Sequence, residues 1–196
     1  MSLKTISVQK IARVLNLLVL AALICNLVIL YLVPTAVLMD QHNLLGGVGE
    51  YLSGILHPGE DDIVAAGLAA SFIAWFWFWR DPYTLVLTLF LVVSGICTAV
   101  ILWQARRVLK TILRGEPFAF ENAASLRRAA VCCFLIAGAA LARVVFSVCY
   151  YRSPLPLATY NALFVPMFSM AGLLCLVMSA LFRQAAELKA ENDLTI

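Results

Sequence analysis

The sequence predicts an all-α integral membrane protein: a four-transmembrane-helix bundle with an outer interfacial helical cap. Three observations lead there. Of the 196 residues, 63% are hydrophobic and 13% charged, with a mean hydropathy of +0.95, more apolar surface than a soluble domain of this length can hide. The apolar residues gather into four runs, each near the roughly 20 helical residues that cross about 30 Å of hydrocarbon. Apart from Arg143, the cations cluster beside these runs instead of inside them.

The first span is expected at about residues 15–32, preceded by Lys4, Lys10 and Arg13 and closed by Pro34, whose ring cannot continue the helical ladder. Its length, and the lack of an A-x-A site after it, make it a retained anchor instead of a signal peptide. The second, third and fourth spans are read at about residues 83–103, 129–148 and 161–182. An outer segment (33–82), a loop (104–128) and a tail (183–196) complete one membrane domain covering residues 1–196. Pro166 is expected to kink the outer half of span four near the carbonyl of Ala162. The small-residue pairs Gly95 with Ala99 and Gly138 with Ala142 are expected to let helices approach closely.

Orientation follows from charge. Arg106, Arg107, Lys110, Arg114, Arg127 and Arg128 crowd the central loop, and Arg183 and Lys189 follow span four, whereas the other two connections hold only Arg80 and Arg152. The positive-inside bias therefore places both termini and the central loop in the cytoplasm. Residues 63–79 are apolar and near the lower length limit for a span. A fifth crossing would turn the six-cation loop outward, so this segment is read as an outer helix lying on or dipping into the bilayer, with Asp61 or Asp62 as its N-cap and Trp75, Trp77 and Trp79 at the headgroup level.

A formal charge of +3 gives no support to nucleic-acid binding. The six cysteines fall mostly inside apolar runs and include no C-x-x-C, so they read as small buried hydrophobes and no redox role is assigned. Neither a nucleophile with a base nor a glycine-rich phosphate loop is present, so no enzymatic activity and no cofactor are expected. His57 precedes Pro58, Gly59, Glu60, Asp61 and Asp62, but the spacing is nonspecific and a solvated turn explains it, so no metal is assigned. The unusual residue within a span is Arg143, 14 positions after Ala129 and thus about 21 Å along the helix from its inner end. Two readings stay open: a cation facing the bundle, paired with Asp81 or one of Glu60, Asp61 and Asp62 and able to bind an anionic ligand, or a side chain snorkelling to the outer headgroups.

The cytoplasmic side carries more pattern. Val108, Leu109, Ile112 and Leu113 form an apolar stripe among the cations of a helical extension that Gly115 and Pro117 stop, and Asn122 is read as the cap of the next helix. Such a hairpin suits either anionic lipid or a protein partner. The stretch Gly115-Glu116-Pro117-Phe118-Ala119-Phe120-Glu121-Asn122, followed by Leu126-Arg127, resembles the G-x-P-F-x-x-x-N-x-x-x-L-R signature of an uncharacterised bacterial family of four-helix membrane proteins. The ending, from Glu187 through Glu191, Asp193, Leu194, Thr195 and Ile196, is similar to that family's E-x-x-x-E-x-D-L-T-I terminus.

The resemblance implies a multi-pass protein of the bacterial cytoplasmic membrane with no established activity, often encoded beside a Cro/CI-like helix-turn-helix regulator. It points to Gly115, Pro117, Phe118, Asn122, Arg127, Asp193, Leu194, Thr195 and Ile196 as a face that binds a cytoplasmic partner such as that regulator, without contacting nucleic acid directly. Asp193 and Thr195 alternate with Leu194 and Ile196, a pattern suited to adding an extended strand to a partner. The alternative is a lipid, small-molecule or peptide binding, immunity or transport protein that uses the outer cap and Arg143; a membrane enzyme ranks third.

Overall fold

The computed structural model describes residues 3–41, 72–76, 81–116 and 118–194. They are helical throughout apart from short turns, and four helices are long and apolar enough to cross a membrane. These are α1 (Leu3–Gln41), α2 (Pro82–Leu113), α3 (Phe120–Tyr151) and α4 (Phe164–Leu194). The chain is thus an all-α, multi-pass membrane protein. The expected cap at residues 33–82 lies outside the described residues, save for the end of α1, the helical residues 72–76 and Asp81, which precedes α2.

In α1 the protected positions include Ala12, Asn16, Val19, Leu23, Asn26, Leu30, Val33 and Val37, spaced alternately four and three apart. This repeat marks a narrow packing seam. Ile11, Leu15, Leu18, Leu27 and Val28 fill the exposed side, an apolar surface suited to lipid. The expected stop at Pro34 is corrected: α1 continues to Gln41 with Pro34 inside it. A proline removes one ladder bond, and a helix supported on both sides sustains that loss in a membrane.

The chain divides into two compact units, 1–26 with 94–196, and 27–93. In the second unit, the indole N–H of Trp75 donates to the carbonyl of Tyr31 at 3.2 Å. Asp81 caps α2: its Oδ2 accepts from the Thr84 N–H and the Thr84 hydroxyl, each at 3.0 Å, while Pro82 takes the first helical position, where no N–H is needed. In the first unit, α3 and α4 pack antiparallel. Phe118 meets Phe182, the carbonyl of Ala123 accepts the Ser179 hydroxyl, and Phe134 covers Gly172, so the contacts descend α4 as they ascend α3.

The buried stripe of α3 holds Asn122, Ala129, Cys133, Ile136 and Ala140, again three and four apart from Ala129 onward. Its small side chains bring α4 close. At Gly172 a Cβ would come within 3.0 Å of Phe134 Cζ. Close approach uses that glycine instead of the expected Gly138 and Ala142, which are exposed; a Cβ on Gly138 would meet nothing within 4 Å. The kink expected at Pro166 is also corrected. Two 3₁₀ turns, Leu155–Ala158 and Tyr160–Leu163, lead into α4, and Pro166 falls in the first α-helical turn, where a missing N–H costs no ladder bond.

Candidate functional site

The end of the first unit that carries the basic residues is a hairpin between α2 and α3. Helix α2 ends at Leu113, and Gly115 takes φ +83, a left-handed conformation that glycine adopts without steric cost. The turn is closed by backbone bonds from Gly115 N–H to the Ile112 carbonyl and from Glu116 N–H to the Thr111 carbonyl, both 3.1 Å. Asn122 does not cap α3, as the sequence suggested; the cap position is Ala119, with no side-chain cap bond. Asn122 sits instead in the third helical position, 1% exposed, with its Oδ1 2.8 Å from Thr111 Oγ. Thr111 Oγ is also 2.7 Å from the Val108 carbonyl, so its single proton is shared between two acceptors.

A second fastening ties this hairpin to α4. The Phe118 and Phe182 rings lie 6.1 Å apart, and the Ser179 hydroxyl donates to the Ala123 carbonyl at 2.7 Å. Phe118 nevertheless stays 49% exposed and Phe120 54%, so fixed aromatic surface remains uncovered. Arg107, Lys110, Arg114, Arg127 and Arg128 are exposed around it. Just inside, Gln104 Oε1 and Arg106 Nε are buried without a hydrogen-bond partner among the described residues. Helix α4 continues beyond Phe182 and carries an exposed ion pair, Arg183 Nε to Glu187 Oε1 at 2.9 Å.

The structure therefore brings Gly115, Phe118 and Asn122 into one hairpin, with Arg127 exposed on the next turns of α3. Pro117, Thr195 and Ile196 lie outside the described residues, as do His42 and His57. Asp193 and Leu194 belong to α4 and are helical instead of extended; continuation of a good helix-forming sequence overrides the alternating pattern. Arg143 is 21 positions beyond Asn122, about 32 Å along α3. It is half-buried and continues the three-and-four spacing of the buried stripe after Ile136 and Ala140.

Thr111, Ser179 and Phe182 escaped sequence reasoning because each looks ordinary in its own helix; only packing gives them partners. Among the described residues no group of three or more His, Cys, Asp or Glu is arranged to hold a metal ion, and nothing in them points to catalysis. A family model described as protein of unknown function (DUF2975) matches residues 56–196. No curated protein and no solved structure matches the chain.

Proposed function

Because the chain belongs to the family described as protein of unknown function (DUF2975), which has no activity to carry over, we propose from its own geometry that it docks a cytoplasmic protein on its basic hairpin and C-terminal helix. The reading places it in the bacterial cytoplasmic membrane with both termini inside, as the cation distribution favours. One observation carries it: the hairpin is fastened at Thr111–Asn122 and Phe118–Phe182, yet leaves Phe118 and Phe120 half uncovered among exposed cations. Fixed aromatic surface ringed by charge has the make-up of a protein contact.

The partner that the family resemblance implies is a helix-turn-helix regulator held at the membrane, so any contact with DNA belongs to the partner. The tail, Asp193 to Ile196, contributes to the same face, and Asp193 and Leu194 enter it as the last residues of α4. The test is affinity capture of the co-expressed regulator from detergent-solubilised membranes. Phe118→Ala with Phe120→Ala, or truncation after Asn192, should abolish capture while membrane insertion and monodispersity persist. Unchanged capture by both variants rejects the reading.

A second reading draws on Arg143, whose place on the buried stripe of α3 favours a cation turned toward the protein and able to hold an anionic ligand near the outer surface. Retention of an anionic lipid by the native chain and its loss in Arg143→Gln would favour it.

A further inference from the structure

Helix α2 leaves one narrow face uncovered as it approaches the hairpin. Across residues 94–114 the exposed side chains are Ile96, Trp103, Arg107, Lys110 and Arg114, spaced seven, four, three and four positions apart. At 3.6 residues per turn this spacing keeps them in a single stripe, with Gln104 and Leu109 buried beside it. The stripe lies on one continuous helix, so helical geometry alone fixes its order. Its chemistry changes along that order, from an aliphatic side chain to an indole and then to cations one turn apart.

An exposed tryptophan at the end of an apolar helix settles where hydrocarbon meets headgroups. Measured from Trp103, Ile96 lies about 10.5 Å back into the apolar part of α2, whereas Arg107 lies about 6 Å and Lys110 about 10.5 Å onward. The headgroup layer is roughly 5–8 Å thick. Helical side chains lean toward the helix N-terminus, which for α2 is its apolar direction, so Arg107 and Lys110 reach back into the phosphate layer. Arg114, about 16.5 Å past Trp103, stands beyond it. No carboxylate offsets this charge: α2 contains neither Asp nor Glu, and Arg107 and Lys110 form no ion pair among the described residues. The adjacent Arg106 adds a cation at the same level, its Nε buried and without a hydrogen-bond partner among the described residues.

We propose that this stripe holds one anionic phospholipid of the leaflet on the hairpin side, with its acyl chains along Ile96, its ester region at Trp103 and its phosphate at Arg107 and Lys110. Hydrocarbon, ester and phosphate then follow the order of the stripe. A zwitterionic lipid fits less well, because its amine would extend past the phosphate toward Lys110 and Arg114, like charge against like. A second copy of the chain fits less well too. A symmetric contact through this face would set Arg107 and Lys110 against their own counterparts. The lipid site does not require a protein at Phe118 and Phe120.

The test uses the full chain in phosphatidylcholine nanodiscs doped with acyl-brominated phosphatidylglycerol or, in parallel, acyl-brominated phosphatidylcholine. Bromine quenching of Trp103 is read as the difference between the native chain and Trp103→Phe. Phosphatidylglycerol should quench at a much lower fraction than phosphatidylcholine. Arg107→Gln alone should raise the fraction needed for half-quenching about 5-fold, and Arg107→Gln with Lys110→Gln about 30-fold, at about 1 kcal/mol per cation near an anionic surface. Lys10→Gln with Arg13→Gln removes the same charge from α1 and should leave that fraction nearly unchanged. Glycerol 3-phosphate in solution, which carries the phosphate without the chains, should not compete. Equal quenching by the two lipids, quenching unchanged in the double variant, displacement by glycerol 3-phosphate, or a dimer that shields Trp103 from both lipids would each overturn the proposal. So would loss of the lipid in Arg143→Gln with retention in the double variant. Gel filtration confirms that each variant is monodisperse, and Arg107→Gln alone carries the test where the double variant is not.

Discussion

Replacing Thr111 by Val removes a hydroxyl while keeping the side chain's shape, and it probes how the hairpin is held. Asn122 Oδ1, in a residue only 1% exposed, loses a donor at 2.8 Å. Leaving a buried acceptor without that donor costs about 1–3 kcal/mol, whereas the net worth of the bond is about 0.5–1.5 kcal/mol. Asn122→Ala acts differently, because Thr111 keeps the Val108 carbonyl at 2.7 Å as an acceptor and Asn122 makes a further interaction that is also lost. A double-mutant cycle cancels that excess and should return a coupling of about 0.5–1.5 kcal/mol. The assay is unfolding in mixed micelles by graded addition of a denaturing detergent, followed by tryptophan fluorescence. Thr111→Val costing less than about 0.3 kcal/mol, with no coupling in the cycle, would refute the fastening, because the predicted loss is several times larger.

Gly115→Ala should destabilise by about 1 kcal/mol in the same assay through backbone strain alone, since φ is +83 and a Cβ meets nothing within 4 Å. At Gly172 the size of the insertion decides the outcome. Alanine should change stability by less than about 1 kcal/mol, because Phe134 is 37% exposed and able to yield while the helix gains propensity; leucine should cost about 1–3 kcal/mol by overpacking. Glu187→Gln breaks an ion pair whose side chains are 71% and 48% exposed, so unfolding should shift by no more than about 0.5 kcal/mol.

The membrane class was legible because hydropathy is a sum over many residues, and no single contact can reverse it. Helix ends and caps depend on single contacts, and there the sequence misled. Pro34 looks like a stop, but α1 runs through it to Gln41. Asn122 has the chemistry of an N-cap, yet the helix begins two residues earlier and turns that amide toward Thr111. Gly115 was readable, because a glycine after a basic apolar stripe has few other roles and its φ of +83 needs that residue.

The candidate site was half legible for a related reason. Gly115, Phe118 and Asn122 are close in sequence, so a motif can hold them together. Phe182 and Ser179 reach them only through the antiparallel packing of α4 on α3, which leaves no local pattern. Gly138 with Ala142 and Gly172 show the same limit: spacing reveals small residues, but only the facing ring of Phe134 tells which of them admits a neighbour.

The central claim is that four helices cross the membrane and place the basic hairpin and both termini in the cytoplasm. Paired topology reporters test it most directly, one active only in the cytoplasm and the other only outside, fused in turn before residue 1, at Gly115, near His57 and after Ile196. The cation distribution predicts cytoplasmic signals at residue 1, Gly115 and Ile196 and an outside signal at His57. Gly115 and His57 reporting the same side would contradict the four-span arrangement and, with it, a cytoplasmic docking face.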